Sequence, residues 1–168
     1  MTMQYDIKTS HSSGSGVMVA QRCRLKNLVY LGTGTAGGID IFDTITAPVA
    51  ATYARSGNVV TVTSTGHGLA TGTRIGISYT AASGTSAVAG NYIITNTGAN
   101  TFTITDLNSG TIAALTVCVY STGEWLAGYN TGTAVQPFQA IFSGEGILAE
   151  NGIYAYTTNI NYQSIQYG

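Results

Sequence analysis

The sequence predicts an all-β protein: a β-sandwich or jelly-roll-like outer domain carrying a small inserted β-barrel. Three observations lead there. Thr, Val, Ile and Tyr dominate the chain, and Gly, Asn and Ser interrupt them every few residues, the pattern of short strands joined by turns. The best helical candidate, Val17 to Leu31, alternates in its central part with period two rather than 3.6. The composition also shifts in the middle, where Arg55, Arg74 and Asp106 are the only charges between Ala54 and Thr122.

The elements follow in chain order. "QYDIKTSHSSGSG", near the start, reads as an arm that orders on assembly. Val17 to Leu31 contains Cys23 and Leu25 alternating with Arg22, Arg24 and Lys26, which makes it a strand with the three basic side chains on one face. "LGTGTAGG" turns the chain, and Ile39 to Ile45 alternates again. Five strand candidates come next: "NVVTVTS", "TRIGISY", "NYIITNTG", "TFTITD" and "ALTVCVY". The loops between them are "TGHGLATG", "TAASGTSAVAG", "GAN" and "LNSGTIA". This meander suits a small barrel or compact sandwich. The C-terminal part offers strands at Phe138 to Phe142, Gly146 to Ala149, Ile153 to Thr158 and Ile160 to Tyr167. In the last of these Ile160 and Tyr162 share one parity, Ile165 and Tyr167 the other, so a bulge is expected near Ser164. The domain reading is residues 1–53 plus 122–168 as a discontinuous sandwich with an N-terminal arm, and 54–121 as the inserted module.

Composition narrows the function. Charged residues make up 8% of the 168, against roughly 25% in an ordinary soluble domain. Eleven tyrosines and many hydroxyl and amide side chains take their place, groups that a partner covers at lower desolvation cost than charges. Burial of this surface in an assembly is expected; a rigid extracellular β-protein is the alternative. A net charge of −1 argues against nucleic-acid binding. Two cysteines, Cys23 and Cys118, make no disulfide framework. No signal peptide is expected, since the first residues lack an apolar core, and no run approaches the roughly 20 apolar residues of a membrane helix.

The candidate sites are few. "GHGLATGTRIGISY", Gly66 to Tyr79, has no lysine for a phosphate loop, and a β-branched strand rather than a helix follows it. His67 has no neighbouring ligands for zinc. It reads as a turn histidine capping its loop by hydrogen bonding, with Leu69 plugging the barrel end. Glu145 and Glu150 read as solvated turn acids rather than a glycosidase pair. Arg22, Arg24 and Lys26 are either a solvated strand face or a docking stripe, and Trp125 is a core or interface anchor. These four are the expected partner contacts. No catalytic residue, metal ligand or cofactor site is expected.

Two stretches carry a resemblance. "NVVTVTSTGHGLATGTRIGISY" with "GNYIITNTGANTFTITDL" resembles a repeated module of phage virion proteins, a module described by its similarity to the first catalytic cysteine half-domain of ubiquitin-activating enzymes. It covers about 60 residues, and the turn here is one residue longer before its His-Gly-Leu core. "NLVYLGTGTAGGIDIFD" and "FSGEGILAENGIYAYTTNINYQSIQYG" resemble a short β-sandwich protein of tailed-phage structural gene clusters. The resemblance implies a virion protein without ubiquitin chemistry. The expected role is a capsid decoration (cement) protein in the virion, binding the major capsid protein and its own copies, with a trimer as the expected oligomer. The alternative is a tail or adsorption protein whose inserted module contacts a host glycan.

Overall fold

The computed structural model describes residues 7–80 and 86–168, together with the backbone but not the side chains of residues 114 and 115. Among the described residues every regular element is a strand, as the sequence predicts. The chain divides into two compact units: Pro48–Trp125 forms one, and the chain on either side of it forms the other.

The flanking unit is sandwich-like. One sheet holds β1 (Lys8–Ser12), β14 (Ile160–Tyr167), β3 (Cys23–Gly32) and β11 (Pro137–Ile141) in that order, with β12 (Ile147–Ala149) also pairing β3. The other holds β10 (Glu124–Gly132), β4 (Gly37–Asp43), β13 (Ile153–Thr158) and β2 (Gly16–Val19). Both sheets feed one core. Leu25, Leu28, Tyr30 and Ile165 come from the first, and Val19, Ile39, Ile41, Ile153 and Ala155 from the second. Tyr30 also stacks on Phe138 at 5.3 Å between ring centroids, an arrangement that adds to area burial.

Period two holds in β3, but its phase changes once. Cys23 and Leu25 are buried, then Leu28 and Tyr30. The change falls where the β3–β14 register skips Lys26, between the pairs Gln166↔Asn27 and Tyr167↔Leu25. A second irregularity, between Ile160 and Tyr162, sets the phase of β14. The bulge expected near Ser164 therefore lies elsewhere: Ser164 pairs regularly with Val29, and the extra residue is Asn161. Ile160 packs inward before it, Gln163 and Ile165 after it. The final residue is tied down, since Gly168 and Arg24 exchange backbone hydrogen bonds of 2.8 and 3.1 Å. The N-terminal stretch departs from the expected arm. Lys8 to Ser12 pairs in register with Tyr167 to Gln163, and His11 stacks beside Tyr162. Gln4 to Asp6 lie outside the described residues.

The second unit is one strongly bent sheet in the order β5 (Val49–Thr63), β9 (Thr101–Ser121), β6 (Arg74–Tyr79), β7 (Gly90–Ile93), with β8 (Thr95–Gly98) pairing β9. Its core is separate, built around Tyr53, Val60, Val62, Ile75, Ile77, Phe102, Ile104 and Tyr120. Two strands are longer than the sequence suggests. "LNSGTIA" is not a loop: β9 runs through it and joins two of the five candidates. β5 begins at Val49, so the unit starts at Pro48 rather than Ala54 and ends beyond Ser121. The β5–β9 ladder bends at irregularities between Tyr53 and Arg55 and between Gly57 and Val59. Gly57 sits there with φ of +63°, a conformation that glycine adopts without strain. Among the described residues no ladder returns β7 to β5, so the described pairings do not close the expected barrel. Of the expected loop "TAASGTSAVAG", residues 81–85 lie outside the described residues.

Candidate functional site

The three basic residues are brought together, and the structure gives each a partner within the chain. Arg22 precedes β3, and Arg24 and Lys26 lie within it. β12 pairs antiparallel to β3, with Leu148 opposite Arg24 and Ala149 opposite Cys23. That register places Glu145 and Glu150, which flank β12, beside the basic side chains. Arg22 Nε donates to Glu150 Oε2 at 2.6 Å, Arg24 Nη2 lies 3.0 Å from Glu145 Oε2, and Lys26 Nζ donates to the carbonyls of Gly144 and Glu145. The Glu150 hydrogen bond and charge push the Arg22 pKa further up. Both ion pairs are open to water, where solvent screening leaves such pairs little stabilising effect. The basic stripe is therefore a neutralised clasp rather than a bare cationic surface. Glu145 and Glu150 are exposed turn acids, as the sequence reading has it, and each also takes a basic partner.

Trp125 belongs to the other unit. It is half-buried, and its backbone is gripped by one side chain: the Trp125 N–H donates to Asn91 Oδ1 at 2.7 Å, and Asn91 Nδ2 donates to the Trp125 carbonyl at 3.0 Å. Beside it Arg74 and Glu124 form an exposed pair at 2.9 Å.

His67 does what its turn requires. Nδ1 accepts from the Leu69 N–H at 3.0 Å, so Nε2 carries the proton and donates to the Gly98 carbonyl at 3.0 Å. The ring meets Phe102 edge-on. Leu69 packs against the second core. Among the described residues no group of three or more His, Cys, Asp or Glu side chains is placed to hold a metal ion.

Two polar centres escaped the sequence reading. The first is the fully buried pair Arg55–Asp106, with Nη2 3.0 Å from Oδ2. Arg55 also donates to the carbonyls of Gly57, Ser86 and Asn108. Asp106 accepts from the Val88 N–H at 3.1 Å, the Leu107 N–H at 2.7 Å and the Tyr92 hydroxyl at 3.3 Å. Burial, then the Asp106 charge, pushes the Tyr92 phenol up to about 12. This centre ties the bends of β5 and β9 to the segment before β7. The available signal was alternation: Ala51, Tyr53 and Arg55 share the inward parity of β5.

The second centre is Asp43, at the end of β4. Its carboxylate accepts from the backbone N–H groups of Glu150 (3.0 Å), Asn151 (2.7 Å) and Gly152 (3.2 Å) and from Asn151 Nδ2 (3.3 Å). It pins the β12–β13 turn. Cys23 lies near enough for this charge to add to burial in raising its thiol pKa, and burial alone takes Cys118 up to about 12. Both thiols are protonated at neutral pH and poor nucleophiles.

The remaining surface is apolar and hydroxyl-rich. Leu107, Ile141 and Val135 are 82%, 73% and 64% exposed. Ile93, Ile45, Val59 and Val117 are exposed as well. No protein-family model, curated protein or solved structure matches the chain.

Proposed function

We propose that the chain is a structural protein of a tailed-phage virion, a capsid decoration protein that works by being covered. The observation that carries this reading is the contrast between its charges and its exposed apolar groups. Every Lys and Arg in the sequence is engaged within the chain or has an interaction there. Large apolar side chains such as Leu107, Ile141 and Val135 stand in solvent instead. A surface of this kind is costly to leave bare and suits contact with a capsid protein or with further copies of the chain. The resemblance of the two sequence stretches to virion modules supports the same reading. Its mechanism is area burial and edge-strand pairing, with β11 and β1 as outer strands of their sheet. An interface of usual size buries roughly 1,600 Å² in total, enough to cover several of these side chains.

The clasp changes what a binding test should use. Charge reversal at Arg22 or Arg24 breaks an intrachain pair as well as any docking contact. The informative variant swaps the pair, Arg24→Glu with Glu145→Arg. Undecorated phage heads are mixed with wild type, the swap, and Ile141→Asp. Wild type and swap are expected to bind equally, with little change between low and high salt, and I141D less. Absence of wild-type binding to heads, with the protein found in tails at a few to dozens of copies per virion, would overturn the decoration role. It would favour the adsorption alternative.

A further inference from the structure

We propose that Asp43 protects the Asn151-Gly152 bond from spontaneous deamidation, so that the β12–β13 turn is a chemically vulnerable site held inert by the fold. An Asn-Gly pair is the most exposed dipeptide to this reaction, because glycine places no side chain in the way. The backbone nitrogen of Gly152 attacks Asn151 Cγ, and the Cγ–Nδ2 bond breaks. Ammonia leaves with the proton that the backbone nitrogen gives up. Water then opens the cyclic imide at either carbonyl, giving aspartate or isoaspartate. Asn151 is exposed, so water reaches it.

The fold cannot avoid the risk by changing Gly152. This glycine has φ of +131°, and a Cβ on it would lie 2.5 Å from the Val19 carbonyl oxygen and 2.8 Å from Ile45 Cγ2. Both the backbone conformation and the space demand glycine. Protection must come from elsewhere, and the hydrogen bonds show where. The nucleophile of the reaction is the Gly152 nitrogen, whose N–H donates to Asp43 Oδ1 at 3.2 Å. Removing that proton beside a carboxylate would set two negative charges in contact, in a position 6% exposed for Asp43. The leaving group is also held, since Asn151 Nδ2 donates to Asp43 Oδ2 at 3.3 Å. The Asn151 N–H, bound to Oδ1 at 2.7 Å, and the Glu150 N–H, bound to Oδ2 at 3.0 Å, fix the backbone on the other side. Closing the imide ring requires breaking several of these bonds together.

The test compares three samples in mildly alkaline buffer: the full chain, the full chain carrying Asp43→Asn or Asp43→Ser, and a synthetic peptide of residues 146–157. Peptide mapping by mass spectrometry reads conversion at residue 151, with Asn108-Ser109 in the other unit as an internal control. The wild-type chain is expected to keep its amide while the peptide converts. Whichever variant retains a cooperative thermal transition should deamidate about tenfold faster than wild type at 151, the factor that one hydrogen bond to a charged acceptor is worth. The rate at Asn108 should not change. A folded wild type that converts as fast as the peptide overturns the proposal, whatever the variants do. A folded variant that converts at the wild-type rate overturns it too. One that converts more slowly would make Asp43 a base assisting the reaction, the opposite role.

Discussion

Asp106→Asn tests the buried centre of the second unit with the smallest change in shape. The two carboxylate oxygens meet four donors: Oδ2 takes Arg55 Nη2 and the Val88 N–H, and Oδ1 takes the Leu107 N–H and the Tyr92 hydroxyl. An amide offers one oxygen and one NH2 group, so two of those donors then face a donor. The less costly orientation keeps the oxygen at the Arg55 side, because the Tyr92 hydroxyl already donates to the Val88 carbonyl at 2.8 Å. The Leu107 N–H then loses its acceptor, at about 1–3 kcal/mol. Arg55, with no exposed side-chain surface, also loses its counter-charge. Breaking a buried pair on one side costs about 3–5 kcal/mol. A domain is commonly stable by only about 5–15 kcal/mol, so the variant should bring the second unit close to unfolding.

The assay is urea unfolding followed by circular dichroism and tyrosine fluorescence. Two companions complete a thermodynamic cycle: Arg55→Met, and Arg55→Met with Asp106→Asn. The double variant contains no buried charge, so it should be less destabilised than the sum of the single changes by more than about 1 kcal/mol. A loss below about 1 kcal/mol for Asp106→Asn, with additive singles, would refute the reasoning. The pair would then behave as solvated charges do.

Three further outcomes are expected. His67→Ala should lower stability by about 1 kcal/mol, through the loss of its bonds to Leu69 and Gly98, without changing metal content, as measured by melting and elemental analysis. Stability should fall at high pH: burial raises Cys118 to about 12, so the native state holds a proton that the unfolded chain releases, and the contribution is present below the ordinary thiol range and lost towards pH 12. The slope is at most about 1.4 kcal/mol per pH unit for that group, and Cys118→Ala should flatten it in pH-dependent urea melts. Replacing residues 48–125 by a short Gly-Ser linker should leave a cooperatively unfolding flanking unit, because its core draws on its own strands alone; loss of cooperativity would refute this.

What the sequence disclosed depended on how strictly inward and outward positions alternate. The C-terminal strands were legible nearly to the residue, since Gly144 and "ENG" punctuate them and Ile153, Ala155 and Ile165 keep their faces. β5 was half-hidden because Arg55 occupies an inward position, where a charged side chain argues against burial unless its partner is known. That partner, Asp106, is 51 residues away and reached only through the β5–β9 ladder. The continuity of β9 was hidden by "LNSG", which is turn chemistry used here at a bend inside a strand. Asp43 had no local signal at all: its partners lie 107 to 109 residues on, and packing alone brings them together.

The misses at Arg55, Asp106 and Asp43 share one cause, and it bears on function. In a chain with 13 Lys, Arg, Asp and Glu residues, six basic and seven acidic, a charge reads naturally as a surface feature or a docking site. Here charge performs internal work instead. Arg55 and Asp106 hold two bends, Asp43 pins a turn, and the basic stripe on β3 is clasped by the acids flanking β12. With the charges engaged in this way, long-range electrostatic steering has little source, and screening by salt has little to act on. On the proposed reading, recognition of a partner would rest on shape, hydroxyl and amide hydrogen bonds, and apolar contact. These act at short range and favour an extended, repeated, slowly exchanging contact over a fast encounter. The proposed role as a shell component would meet those conditions, because the neighbours of such a component are fixed and its residence is long.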